Sequence, residues 1–143
     1  GYLPLFERGT PIAAYVHRGY FYEHSTPERY LQGNLNLVRG GVSLPARPGP
    51  LSGVNAQAEV AKDAMIVGPV LVSAGAEVAS GAHVGPNVIV GAGGRVGAGA
   101  HVEESVIWSG AEVAPGASLR RAIVTSRRVV KVPAIADPWA RPR

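Results

Sequence analysis

The chain has 143 residues, no cysteine, nineteen glycines, twelve prolines and a formal net charge of +4. Without cysteine it forms neither disulfides nor thiolate metal sites, a usage that fits a cytoplasmic protein. No apolar run is long enough to predict a membrane span, and the first residues do not resemble a signal peptide. The charge is uneven: residues 54–119 hold two basic against six acidic side chains, whereas seven basic residues and one acid lie from Arg120 onward. A solvated basic terminus explains that end better than nucleic-acid binding, since no aromatic residue interleaves it before Trp139.

In residues 1–40, the spacing predicts a strand over Ile12–Val16, a turn at His17-Arg18-Gly19 and a second strand over Tyr20–Glu23. A helix start follows. Thr26 can cap it with Pro27 at the first helical position, or Ser25 and Glu28 can form a capping box. Tyr30, Leu31, Leu35 and Val38 supply its apolar stripe, and Gly40-Gly41 ends it. One hairpin and one helix bury little on their own, so this piece must pack on something else. Residues 41–53, with Pro45, Pro48 and Pro50 among glycines, read as an extended linker.

From Val54 a new period begins. Val54, Val60, Ile66, Val72, Val78, Val84, Val90, Val96 and Val102 stand six apart without a miss. Four residues after each of the first eight comes something small or β-branched: Ala58, Ala64, Val70, Ala76, Ala82, Val88, Gly94 and Ala100. A six-residue period fits neither a helix nor a plain strand. It fits a coil of short flat sides with a bend after each. Both the aliphatic and the small residue then point inward. Gly75, Gly81, Gly93 and Gly99, with Asp63 and Asn87 in the same phase, take the corners, where unusual dihedrals are needed. Three sides close a triangular coil, and coils stack about 4.8 Å apart as a parallel β-helix.

Beyond Val102 the register slips. Ile107, Val113, Leu119 and Val124 continue it with two five-residue steps, and Ser105, Ala111, Ala117 and Ala122 keep the small sites. The competing register puts Val106 and Trp108 inward. An interior of valine and alanine has no room for an indole, so Trp108 is expected outside and the later coils shorten to seventeen residues. Val106, Trp108 and Ile123 then form an outward apolar patch, a candidate assembly surface. The competing reading has Trp108 covered by the chain's own N-terminal segment or tail. Residues 133–143, with three prolines and Trp139, suggest a tail over the last coil, whose strand edges are otherwise open.

The repeat resembles that of hexapeptide left-handed parallel β-helix proteins; the hand is implied by the resemblance alone. Gly19-Tyr20-Phe21-Tyr22-Glu23-His24-Ser25-Thr26-Pro27, followed by a helix carrying Asn34-Leu35-Asn36-Leu37, resembles the closing segment of the catalytic domain in sugar-phosphate nucleotidyltransferases. The order segment, linker, β-helix is similar to that of mannose-1-phosphate guanylyltransferases. The resemblance implies a parent enzyme that joins a nucleotide to a sugar-1-phosphate with Mg2+ and releases pyrophosphate. It implies Glu23 at the position of a magnesium-binding aspartate, and Ser25 and Thr26 beside the substrate. Three departures stand out: Glu for Asp, His24 for Ile or Val, and Ser25 for Gly. No glycine-rich nucleotide loop occurs in residues 1–40, so the chain is expected to be a C-terminal portion that is inactive alone and needs no cofactor itself. Its partners are expected to be further copies or a paralogous subunit, met through the β-helix, with nucleotide-sugar bound by the parent.

His83 and His101 stand eighteen apart and should stack on consecutive coils. Hexapeptide acyltransferases use an outward histidine as general base, and one carbonic anhydrase branch binds zinc through three. His17 and His24 lie outside the repeat and supply no obvious third ligand, so exposed repeat positions are the simpler reading. The resulting expectation is mainly β: about four coils over 54–132, preceded by a hairpin-helix remnant of an α/β domain over 1–40 and a linker over 41–53, and followed by a tail over 133–143. A hexapeptide acyltransferase and a non-catalytic assembly or regulatory subunit are the alternatives.

Overall fold

The computed structural model describes residues 2–11, 13–16, 18–42, 44 and 49–134. The six-residue period folds as read. Three parallel sheets wrap a common interior and make the faces of a prism. Face A holds β1 (Gly53–Val54), β4 (Val70–Val72), β7 (Val88–Val90), β10 (Val106–Ile107), β13 (Ala122–Val124) and β14 (Val129–Lys131), in that order. Face B holds β2 (Glu59–Val60), β5 (Glu77–Val78), β8 (Arg95–Val96) and β11 (Glu112–Val113). Face C holds β3 (Met65–Ile66), β6 (His83–Val84), β9 (His101–Glu103) and β12 (Ser118–Arg120).

Register confirms the slip and its place. Val54 pairs with Val72 and Val72 with Val90, eighteen residues on, whereas Val90 pairs with Ile107 and Ile107 with Val124, seventeen on. Ile107, Val113, Leu119 and Val124 join the interior cluster with the valines and alanines of the regular run. Ser105, in a small inward site, is fully buried; its hydroxyl donates to the Glu103 carbonyl at 2.6 Å and accepts from the Ala122 N–H at 3.0 Å. That pairing removes the cost of a buried hydroxyl.

The four corner glycines adopt φ between 64° and 67°, and Asn87 joins them at 60°. Asp63 does not. Its carboxylate accepts from the Ser80 hydroxyl one coil on, at 2.7 Å, which holds that corner without positive φ. At the two shortened corners Glu104 (φ 44°) and Arg121 (φ 52°) make the bend. Asn87, Glu104 and Arg121 therefore stack along the edge between faces C and A.

The N-terminal region departs from expectation. Ile12 and His17, from the proposed hairpin, lie outside the described residues. Residues 13–16 and 20–23 form no strand, and Tyr15, Val16 and Phe21 are exposed. Two lone strands are marginal in water, and neither segment pairs with a described strand. A short helix not anticipated from the sequence, α1 (Leu3–Glu7), buries none of its residues. The main helix, α2 (Pro27–Val38), forms as expected. Thr26 is its cap, accepting from the Arg29 N–H at 3.3 Å, and Gly40 closes it at φ 74°. Leu31, Leu35 and Val38 are buried.

At the far end the chain turns back after Val124, and β14 runs antiparallel to β13. The edge that needed covering is thus closed on face A by residues 129–131. Of the proposed tail over residues 133–143, residues 135–143 lie outside the described residues, and the Pro133 carbonyl accepts from the Arg121 guanidinium at 3.2 Å.

Candidate functional site

Each inward aliphatic residue is preceded by an outward one, and every third of these falls on the same face. Face B presents Glu59, Glu77, Arg95 and Glu112; face C presents Met65, His83, His101 and Ser118; face A presents Leu71, Ile89, Val106 and Ile123. Face A is the apolar one, and α2 lies on it. Leu31 and Leu35 pack with Val106, Ile123 and Val132, flanked by Tyr30, Ile89 and Val130. Past the helix end, the Arg39 guanidinium donates to the Asn87 side chain at 3.0 Å and to Glu104 at 3.4 Å. The shortened edge thereby ties down α2.

This placement corrects the assembly-surface expectation. Val106 and Ile123 are 3% and 5% exposed because the chain's own helix covers them. Trp108 is outside, as the narrow interior requires, and 47% exposed. Its ring meets Tyr30 edge-on, and the two residues, with Asn34, Ile89, Gly91, Val106 and Ser109, border a shallow cleft of about 320 Å³. The apolar column on face A was readable from every third outward residue. It is the signal that marks where α2 docks.

Ahead of α2, rings form a ladder: Tyr20 stacks on Tyr22, Tyr22 meets His24, His24 meets Tyr30, and Tyr30 meets Trp108, with centroids 5.8–6.2 Å apart. His24 lies against Gly33, where any side chain would collide with the imidazole. The segment carrying Glu23 and Ser25 is in this way set against α2, and α2 against the prism.

Arg29, one turn into α2, donates to the Glu23 carboxylate and, through the same nitrogen, to the Ser25 hydroxyl at 3.2 Å. The Thr26 hydroxyl is spent on the helix cap. Alone, these residues do not complete a magnesium site, and the expectation for Glu23 rests on ligands from the rest of the parent. A hard dication wants several oxygen ligands, whereas here one carboxylate is already neutralised by a guanidinium. Among the described residues no group of three His, Asp or Glu side chains could hold a metal.

On face C the expected stack is present. The His83 and His101 rings lie 4.3 Å apart at 81°. His101 Nε2 is 3.0 Å from Glu103, whose carboxyl is held below its ordinary range by that hydrogen bond, with His101, Arg120 and His83 adding favourable charge. His83 Nε2 is buried without a hydrogen-bond partner. Neither histidine lines the cleft beside Trp108 or the one beside β1. A general base must come within hydrogen-bond reach of the proton it takes, and neither of these two clefts brings a ligand to the stack.

A family model described as the GMPPB C-terminal domain matches residues 54–137. The match starts at the first valine of the six-residue run and covers more than half of the chain. The chain belongs to this family. No curated protein matches it. The GMPPB C-terminal domain is the prism described above, and the family is that of mannose-1-phosphate guanylyltransferases. Residues 2–53, including α2 and the Glu23–Arg29 pair, lie outside the matched span. Among the described residues, no helix is long and apolar enough to cross a membrane.

Proposed function

We propose that this chain is the scaffolding portion of a sugar-1-phosphate guanylyltransferase of the GDP-mannose-forming type, working in the cytoplasm. Its own task is to assemble subunits and to hold the end of a nucleotidyltransferase-type domain at a fixed place. The observation that carries this reading is the docking of α2 on face A. A helix resembling the last one of the catalytic domain is seated on the prism by Leu31, Leu35 and Arg39. Chemistry on the sugar phosphate, and the magnesium it uses, belong to the parent's α/β domain. Nucleotide-sugar is the parent's ligand, and other copies or a paralogous subunit are the chain's own partners. The test is direct: this 143-residue chain, given GTP, mannose-1-phosphate and Mg2+, should release no pyrophosphate. Turnover by the chain alone would overturn the assignment.

The Arg29–Glu23 pair favours a second reading, in which the parent is a silent partner that binds nucleotide-sugar without turning it over. A guanidinium on the carboxylate supplies a fixed positive charge where the enzyme's segment would offer a negative one to a metal. In that case nucleotide-sugar binding by the parent should be insensitive to EDTA. An EDTA-sensitive affinity would reject this second reading and leave the first standing.

A further inference from the structure

The cleft of about 320 Å³ beside Trp108 has walls from two pieces of the chain. Tyr30 and Asn34, one turn apart on α2, form one wall; Ile89, Val106, Trp108 and Ser109 of the prism form the other. The Tyr30 and Trp108 rings stand at 67°, so they make a corner rather than a slot, and Trp108 stays 47% exposed beside it. Polar groups border the same space. Asn34 Nδ2 donates to the Tyr30 carbonyl at 2.8 Å, which fixes the amide and leaves Oδ1 open to a donor. Among the described residues, Asn34 Oδ1, the Ser109 hydroxyl and the Trp108 indole N–H have no hydrogen-bond partner. Gly91 also lines the cleft, and a Cβ there would come within 3.0 Å of the Ser109 hydroxyl; glycine keeps that hydroxyl uncovered. No charged side chain lines the cleft.

We infer that this seam binds one neutral pyranose ring, and that the sugar clamps α2 to the prism. The scaffold reading assigns the cleft nothing, and the Glu23–Thr26 segment does not line it. The lining selects the class of ligand. A pyranose has an apolar face of C–H groups that packs on an aromatic ring, and a rim of hydroxyls that need neutral donors and acceptors. Trp108 supplies the ring; Asn34, Ser109 and the indole N–H supply the partners. A phosphate or diphosphate would lie here without a cation to pair with. A free base lies best between parallel rings, which a 67° corner does not provide. A wholly apolar ligand would cover Asn34 and Ser109 and give them no partner in return. The volume is near the lower end of ligand sites, about 300–1,000 Å³, and suits one ring rather than a whole nucleotide-sugar.

The cleft exists only while α2 is docked, because Tyr30 and Asn34 leave with the helix. A ligand that binds the docked state alone stabilises it: at ten times its Kd the ratio of docked to undocked helix rises about elevenfold. The linkage runs both ways, so loosening α2 weakens the sugar. One ring in a shallow cleft gives an affinity of about millimolar. Sugar bound here tightens the seat of the helix that resembles the last one of the catalytic domain, so sugar supply can act on the scaffold.

The test uses the full chain with methyl α-mannopyranoside, methyl α-glucopyranoside, guanosine and GDP-mannose as probes. Binding is read by saturation-transfer NMR and by Trp108 emission in a Trp139→Phe background. At least one glycoside should half-saturate at about 1–10 mM, with transfer strongest to the protons of one ring face. Ser109→Ala and Asn34→Ala should each weaken it about fivefold, while Ser118→Ala on face C leaves it unchanged. Ser109 is exposed, so its variant keeps the fold and its loss reads the site itself. Leu35→Ala, outside the cleft lining, should also weaken the glycoside, and glycoside should raise the urea midpoint of Trp108 in the parent sequence but not in the Ser109→Ala/Asn34→Ala double variant. GDP-mannose should bind within about threefold of the glycoside, since no cation holds its diphosphate. A nucleotide-sugar more than about tenfold tighter, or guanosine binding where neither glycoside does, overturns the pyranose assignment. So does silence to both glycosides up to about 100 mM, or glycoside binding indifferent to Ser109→Ala and Asn34→Ala. None of these outcomes bears on pyrophosphate release, so the proposed function stands or falls separately.

Discussion

Tyr30 on α2 and Trp108 just after β10 meet edge to face, their centroids 6.2 Å apart and their planes at 67°. The contact roofs the seam in which Leu31 and Leu35 cover Val106 and Ile123. It gives the docking of α2 an optical reporter, since an indole that loses a packed neighbour changes its emission.

Leu35 is fully buried in that seam. Leu35→Ala should cost about 2–5 kcal/mol of helix docking, because the apolar contact is lost and the rigid sheet below cannot collapse into the space. Urea unfolding followed by Trp108 fluorescence, in a Trp139→Phe background, should shift to lower urea while the β signal of the prism keeps its midpoint. Leu5→Ala on the exposed α1 is the control, with a change within about 0.5 kcal/mol. Unshifted Trp108 emission in Leu35→Ala would mean that the helix is not held by this seam.

The prism was legible in the sequence because its constraint is local and repeated. Each coil needs an aliphatic residue, a small one and a bend, and a one-residue slip exposes every inward side chain. Even the shortened coils could be read, since only one register keeps the Trp108 indole out of an interior of valines. The hairpin was misread because the strand-prone residues of Ile12–Val16 and Tyr20–Glu23 mark segments that could pair, not ones that find a partner. The patch at Val106, Trp108 and Ile123 was read correctly as outward and apolar. Its cover was missed because the pairing of α2 with face A is a long-range contact, written only in the third-residue recurrence of Leu71, Ile89, Val106 and Ile123.

Two glycines at one corner, two residues apart, should respond to substitution by different amounts and for different reasons. Gly99 has φ 64° and open space where a side chain would go. Gly99→Ala should therefore cost only the dihedral penalty of about 1–2 kcal/mol, and Gly99→Asn less. Gly97 has no such φ, yet a Cβ there would sit 2.5 Å from the Pro115 nitrogen and 2.8 Å from the Val113 carbonyl oxygen. Both obstacles are backbone of the next coil and cannot step aside, so Gly97→Ala and Gly97→Asn should both destabilise more than Gly99→Ala. Thermal melts of the four variants rank the two costs. Equal losses at both sites would contradict the tight stacking of these coils.

Acid should loosen face C through Glu103. Its carboxyl lies below the ordinary value of 4.5, first through the hydrogen bond from His101 and then through the charges of His101, Arg120 and His83. A carboxyl depressed in the folded state stabilises above its unfolded value, and that contribution is lost as pH falls through the folded one. The sensitive window therefore lies below 4.5. Melting temperatures measured from about pH 6 to pH 3 should fall less steeply for Glu103→Gln than for the parent sequence. Asp63 and Glu28, also depressed, are present in both proteins and cancel from the comparison. Superimposable curves would remove Glu103 from the account of acid stability.

The hairpin that joins β13 to β14 is closed by the Thr125 N–H donating to the Arg128 carbonyl at 3.0 Å and braced by the Thr125 hydroxyl. Thr125 Oγ1 accepts from the N–H groups of Arg127 and Arg128 at 3.2 and 3.1 Å, and donates to the Arg128 carbonyl at 3.0 Å. A side chain that makes the turn in this way lowers the entropy of closing it. Thr125→Ala should cost about 0.5–2 kcal/mol, the range for losing a comparable cap, and most of that loss should fall on the hairpin. When β14 lifts, the edge of β13 is bare, and an unpaired parallel edge invites another chain. The variant should therefore show faster amide exchange at Ala122–Val124 and scatter more light at high concentration, while Thr125→Ser keeps the hydroxyl and behaves like the parent. Unchanged exchange at those residues in Thr125→Ala would show that β14 is held by its ladder alone.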